Sequence, residues 1–243
     1  MKEADRETVT CPWPGGPAVV ARGHPLCLMC EVVERMPRES APAADGLPPA
    51  VRMPLRAGTR LFEQGAPAQA VYVVQSGIVK ETLRDDDSGE CIARLVMRGG
   101  VAGLGGLSGP HPHSGHVMHP GFACRIPMAR FERLLAEHPD ATPQLYADGR
   151  QAIADADLII AQMCHGSARA RLARALLHLR STLAPGEALR LKRDDLASLM
   201  ALNPTSVARL LADFRRDGLL EQQGRYCVAI DAARLQAIAH EEP

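Results

Sequence analysis

The chain carries no excess charge of either sign: 28 Lys and Arg residues balance 28 Asp and Glu residues over 243 positions. Any attraction to a polyanion must therefore be local. It also lacks a long apolar run, and no stretch approaches the ~20 residues that a bilayer-spanning helix needs. No secretory leader is expected, because the segment from Met1 to Glu7 is dense in charge where a signal peptide is apolar. These absences predict a cytoplasmic protein without a membrane partner, whose seven cysteines stay reduced unless they bind metal. The charge is also unevenly spread. Residues 167–243 hold 12 Lys and Arg against 9 Asp and Glu, whereas residues 1–50 hold 5 against 7.

The segment from Arg193 to Gly218 has the pattern of a helix-turn-helix. Leu196, Met200, Leu202, Val207 and Leu210 fall where two short crossed helices bury apolar side chains, and Ala197 is small where the helices come closest. Pro204 stands where a second helix starts, a place that tolerates the missing N–H. Thr205, Ser206, Ala208 and Arg209 are then left facing outward, as a groove-reading helix requires. The turn itself lacks the usual glycine and has Ala201 instead. An ordinary helical hairpin is the other reading of this segment.

Four stretches differ in character. Residues 1–50 are rich in Pro, Gly and Ala, contain Cys11, Cys27 and Cys30, and read as a cysteine-containing segment and linker. Residues 51–138 show short β-rich runs separated by glycines, as in a small barrel or roll. Here Ala70 to Gln75 and Ile78 to Leu83 read as two strands adjoining at Ser76-Gly77, followed by an acidic turn through Asp85, Asp86 and Asp87. Helical periodicity begins near Met128 and dominates residues 139–166. With Tyr146, Ile153 and Ile160 at heptad a positions, Gly149, Ala156 and Met163 take the d positions of a narrow helix–helix seam. A helix buried within one subunit is the alternative. Residues 167–236 hold a further helix from Ala168 to Leu183, the helix-turn-helix, and a hairpin turning at residues 222–225, which makes a wing.

Roll, long helix and winged helix-turn-helix, in that order, resemble the CRP/FNR family of bacterial transcription regulators. The matching residues are Gly58, Leu61, Phe62 and Gly65, then Val71 to Val74 with Ser76 and Gly77, then Arg169, Arg171, Leu172 and Ala173. The series continues through Asp195, Leu196, Ala197 and Leu199 to Val207, Arg209, Leu210, Leu211, Phe214 and Gly218 to Leu220. The resemblance implies an α+β chain with an N-terminal double-stranded β-helix (jelly-roll) sensor domain, a long dimerisation helix and a C-terminal winged helix-turn-helix. It also implies a homodimer that binds palindromic double-stranded DNA, and no enzymatic activity.

Cyclic-nucleotide-binding members hold ribose and phosphate with a Glu and an Arg. The matching stretch here, Gly103 to Gly115, has neither, so no cyclic nucleotide is expected; a buried phosphate needs a cation. That stretch and Ala123-Cys124-Arg125-Ile126-Pro127 are instead similar to the family's FNR-like branch. This resemblance implies an oxygen-sensing [4Fe–4S] cluster with Cys11, Cys27, Cys30 and Cys124 as iron ligands, with His24 as a substitute for Cys11. Four thiolates suit such a cube, but a Cys-x-x-Cys pair also suits zinc or thiol redox chemistry, and a chain with no cofactor is a further alternative. Histidines 111, 113, 116, 119 and 138 leave haem open. His111-Pro112-His113 resembles a cupin metal motif, but Val117 and Met118 stand where a cupin-like enzyme needs Glu. Cys91, Cys164 and Cys227 read as buried structural residues.

In the FNR-like branch an acidic residue on the long helix opposes dimerisation; an ungapped match puts Ala156 there, between Asp155 and Asp157. On the recognition helix, Thr205 and Ala208 replace the branch's Glu and Ser, while Arg209 is retained, which predicts a different half-site. Arg215, Arg216 and Arg225 are the expected phosphate contacts. The acidic turn at residues 85–87 lies where family members touch RNA polymerase.

Overall fold

The structure, a computed structural model, describes residues 8–9, 20–21, 46–48, 50–85, 89–137, 139, 142–181, 183, 189, 192–223, 226–229 and 232–240. Two short strands, β1 (Thr8–Val9) and β2 (Val20–Ala21), pair antiparallel by themselves. The roll follows: β3 (Val51–Leu55), β4 (Arg60–Phe62), β5 (Ala70–Asp85), β6 (Gly89–Val96), β7 (Val101–Ala102) and β8 (Ser114–Pro127). Its sheet runs β3-β8-β5-β6, with β4 added on β8 and β7 on β5, every pairing antiparallel.

The two strands expected on either side of Ser76-Gly77 are one strand of 16 residues. Gly77 does not turn the chain back; it absorbs a register shift against β8, with φ +85°. A Cβ there would lie 2.7 Å from the carbonyl oxygens of both His119 and Pro120, so backbone crowding and backbone angle each demand glycine. A glycine that bulges a strand and one that ends it look alike locally.

Inside the roll, Val74, Val79, Val96, Val117 and Ala123 are buried together. Phe62 stacks on His111 with ring centroids 4.3 Å apart and on Tyr72 at 6.0 Å. His111 also exchanges backbone hydrogen bonds with Gly65 and Ala66. Burial lowers its pKa, against the opposing pull of Glu81. The Glu81 carboxylate accepts the Gly103 N–H at 2.8 Å and lies 3.6 Å from Arg94.

Helix α1 (Met128–Glu137) closes one side of the roll by packing Phe131 against Val71 and Ile126. Its buried Arg130 donates to the Pro48 and Leu47 carbonyls at 2.7 and 2.8 Å, pinning the chain where it enters β3. Helix α2 (Thr142–Met163) leads to α3 (Ala168–Ser181), α4 (Arg193–Leu199), α5 (Pro204–Arg216), the hairpin β9 (Leu220–Gln223) and β10 (Tyr226–Ala229), and α6 (Ala232–Ala239). Among the described residues no helix is long and apolar enough to cross a membrane.

On α2 the expected a positions are open to solvent: Tyr146 is 77% exposed, Ile153 65% and Ile160 58%. Three apolar side chains at this spacing on one face, left uncovered within the protomer, form an unpartnered stripe. The expected d position Met163 does not belong to it. Met163 is fully buried and packs with Leu172, Leu176 and Met200 in the protomer's own core. The heptad stops where the helix end enters that core. Asp157 is exposed four residues after Ile153 and three before Ile160, so it shares their face.

Candidate nucleic-acid interface

The geometry of the helix-turn-helix follows from a few local choices. Asn203 is the N-cap of α5: its side-chain oxygen accepts the Ser206 N–H at 2.8 Å, and Pro204 occupies the first turn. The Asn-Pro pair is a complete start signal, with the cap from Asn203 and the first helical residue from Pro204. Val207, Leu211 and Phe214 turn inward and are buried with Leu196, Leu199 and Met200, while Leu202 and Leu210 pack at the margin. On the opposite side Thr205 and Arg209 are exposed and Ser206 and Ala208 half-buried. The four predicted base-reading positions therefore occupy the N-terminal half of one helix, clear of its packed face.

The turn between the helices passes through Ala201 at φ +49°, the one described residue other than glycine with positive φ. A left-handed conformation costs a residue with a Cβ roughly 1–2 kcal/mol. Ala201→Gly removes that cost but gives some back by loosening the unfolded chain. The expected result is a stabilisation of about 1 kcal/mol, read as a higher denaturant midpoint at unchanged m-value. A lowered midpoint would show that the Ala201 methyl group is needed.

The reading unit is braced from behind by the Arg169-x-Arg171 motif. Arg171 donates to the Met200 carbonyl at 3.0 Å, just before the turn, and Arg169 pairs with Asp217 at 2.7 Å. The Arg169 guanidinium also stands over the Phe214 ring, 5.0 Å from its centroid. The hydrogen bond from Arg169 holds the Asp217 carboxyl below the usual carboxylate range. The end of α4 and the end of α5 are thus tied to α3, which explains why two arginines at that spacing sit so far from the reading face.

Of the expected phosphate contacts, Arg215 and Arg216 are exposed in the last turn of α5, and Arg216 pairs with Asp213 one turn back. Arg225 lies outside the described residues. Strands β9 and β10 pair antiparallel as the expected hairpin requires, with Gln223 opposite Tyr226; Gln222, expected in the turn, is paired with Cys227, and residues 224–225 lie outside the described residues.

The cysteines divide. Cys11, Cys27 and Cys30, with His24, lie outside the described residues. Cys124 on β8 stands opposite Arg52 on β3 and Val73 on β5. It is buried among Val71, Val73, Val101, Ile126, Met128 and Phe131, and burial pushes its thiol up to about 11. A thiol there is neutral, and among the described residues no group of three or more His, Cys, Asp or Glu side chains could hold a metal ion. By themselves the described residues do not form a cluster site. Cys91 corrects an expectation: it is exposed on β6, opposite Leu83, which is also exposed, and Cys164 is only half-buried. The burial of Cys227 falls outside what is described.

Two family models match the chain: a cyclic nucleotide-binding domain over residues 52–138 and a Crp-like helix-turn-helix domain over residues 170–238. The transcriptional activator protein anr of Pseudomonas aeruginosa is 27% identical over 193 residues, covering 76% of this chain and 79% of its own length. The fumarate and nitrate reduction regulatory protein of Salmonella typhi is 26% identical over 196 residues, with 77% and 78% covered. Among solved structures, FixK2 from Bradyrhizobium japonicum superimposes with a TM-score of 0.67 at 22% identity, over 80% of this chain and 99% of that one. A CRP-family transcriptional regulator from Thermus thermophilus gives 0.66 at 22% identity, over 78% and 97%. An antiparallel roll, a long helix with an open apolar stripe, and a capped helix-turn-helix carrying both matched models in this order place the chain in one family: it belongs to the CRP/FNR family of transcription regulators.

Proposed function

We propose that the protein is a homodimeric DNA-binding regulator, not an enzyme, that reads a palindromic site with one α5 helix in each major-groove half-site. The observation that carries this reading is α5 itself. Its apolar side is fully packed, its N-terminus is capped, and Thr205 and Arg209 stand open to solvent. The open stripe of Tyr146, Ile153 and Ile160 supplies the face for a second copy. RNA polymerase is the second partner of the reading, met at the acidic turn between β5 and β6.

The signal of this reading is oxygen or redox state. Its support is the set of cysteines 11, 27 and 30 together with the names of the relatives, fumarate and nitrate reduction regulator and anr. Cys124 enters as the fourth thiol because the N-terminal segment is pinned by Arg130 at Leu47 and Pro48 and then runs as β3 beside it, with Arg52 opposite Cys124. No cyclic nucleotide belongs to the reading. Phe62 and His111 stack inside the roll, and Glu81 already takes the Gly103 N–H.

Selection of duplexes from a random pool by the purified protein tests the DNA-reading part. The expected product is a palindrome with half-sites about 10 base pairs apart; absence of enrichment, or a product without symmetry, would sink it. The absorption spectrum of anaerobically purified protein tests the signal. A broad band in the visible that air bleaches, and that Cys27→Ser abolishes, is expected for a thiolate-held cluster. A featureless spectrum at full iron supply would remove the cluster from the reading, and a sharp Soret peak would replace it with haem.

A further inference from the structure

We propose that Lys80 on β5 and Asp195 on α4 clasp the DNA-reading unit onto the roll and so set the direction in which α5 points; the inference rests on the DNA-binding reading above. Lys80 Nζ lies 2.9 Å from Asp195 Oδ1 and 3.7 Å from Glu90 Oε1. The Lys80 and Asp195 side chains are only 18% and 8% exposed. A charge pair this far from water is strong only while both members are present.

A second contact lies beside it. Strand β6 is an edge of the sheet, and its Ile92 N–H is donated at 3.1 Å to the hydroxyl of Ser198 on α4. The register shifts here: Glu81 pairs with Arg94 but Thr82 with Ile92, which leaves Ala93 unpaired. Around these polar contacts Ile78, Leu95 and Met118 of the roll join the same apolar cluster as Leu196, Leu199 and Met200. His116 on β8 is near the same charges, Lys80, Glu90, Arg60 and Asp195, and burial lowers its pKa. It therefore adds no second cation to the pair near neutral pH.

The contact matters because of how the reading unit is attached. Helices α2 and α3 connect through residues 164–167, and the cluster that Ile159 and Met163 share with Leu172 and Leu176 is apolar and non-directional, so it does not by itself fix the angle of the unit. Two α5 helices must meet two half-sites together, and each degree of freedom frozen on binding weakens it. The clasp removes that freedom beforehand. Lys80, Asp195 and Ser198 are thus positioning residues, although none faces DNA.

The test uses the full chain and a duplex enriched by the wild-type protein. Lys80→Met strands the Asp195 carboxylate in the interface. Operator affinity is expected to fall at least ~10-fold, and exchange of the Ile92 amide to quicken by a similar factor. In Lys80→Met/Asp195→Leu two apolar side chains replace the pair, and both readouts are expected to return to within about threefold of wild type. A merely destabilised protein would not show that return. Ser198→Ala, which keeps the fold, is expected to quicken Ile92 exchange and weaken binding by about threefold. Unchanged or tighter binding by Lys80→Met, or a double variant as weak as the single one, would overturn the clasp alone. A wild-type protein that enriches no duplex would overturn both this inference and the reading beneath it.

Discussion

Replacing Arg209 by alanine is expected to leave a dimer that still binds DNA but no longer chooses among sequences. Arg209 is the one long, charged side chain among the four outward positions in the first half of α5, and its neighbours Thr205, Ser206 and Ala208 are short. An arginine reaching the O6/N7 edge of guanine contributes about 1–3 kcal/mol of discrimination, and a symmetric site uses it twice. The loss is therefore about 2–6 kcal/mol, or on the order of 30-fold to 10⁴-fold in the ratio of specific to random-sequence binding. Phosphate attraction is untouched, so binding to random duplex should survive with nearly the same salt slope. Gel-shift titrations against the selected duplex and a scrambled one give the ratio directly. A ratio unchanged by Arg209→Ala would mean that the bases are read from somewhere else.

The second large effect concerns assembly. Asp157 shares the open stripe with Ile153 and Ile160, so in a symmetric pair of α2 helices the two copies of its carboxylate approach each other. Like charges brought together in an interface cost up to several kcal/mol. Asp157→Ala is expected to relieve about 1–3 kcal/mol and lower the dimer dissociation constant about 5- to 100-fold. Ile153→Asp does the reverse at the centre of the stripe. It removes an apolar contact and adds a pair of facing charges, so a dimer weakened by ~100-fold or more is expected, with operator affinity falling alongside. Sedimentation equilibrium measures both. If Ile153→Asp still sediments as a dimer, the stripe on α2 is not the contact.

The reading unit was legible because periodicity constrains it tightly. Leu196, Met200, Val207 and Phe214 must be inward for two short helices to pack at all, and Thr205 and Arg209 then have only one side left. Even the atypical Ala201 showed as a missing glycine, and the structure gives the reason in its positive φ. The misreadings arose where a local pattern has two tertiary meanings. Ser76-Gly77 serves a turn or a bulge equally well, and the His119 and Pro120 carbonyls on another strand decide between them. Met163 continues a heptad on paper, but its helix has already entered the core of α3 and α4. The ungapped match falls on Ala156, which is half-buried, while the adjacent Asp157 is the residue exposed on the open face. Cys91 read as buried because cysteine usually is, yet it lies on an edge strand beside exposed Leu83. The pairing of Lys80 with Asp195 carried no signal: Asp195 counts in the sequence only as part of the helix-turn-helix pattern, a lysine in a strand is ordinary, and only the fold brings the two together.

The largest apolar cluster does not respect the boundary between the two matched domains. It runs without a break from Ile78, Leu95 and Met118 in the roll, through Ile159 and Met163 of α2, to Phe214 and Leu235 of the reading unit. Parts that share one dry interior cannot melt independently, since opening either wets the surface of the other. Heating should therefore give a single calorimetric transition whose van't Hoff and calorimetric enthalpies agree. A substitution such as Met118→Ala deep in the roll should then lower the melting temperature of the wing as much as that of the strand it sits on.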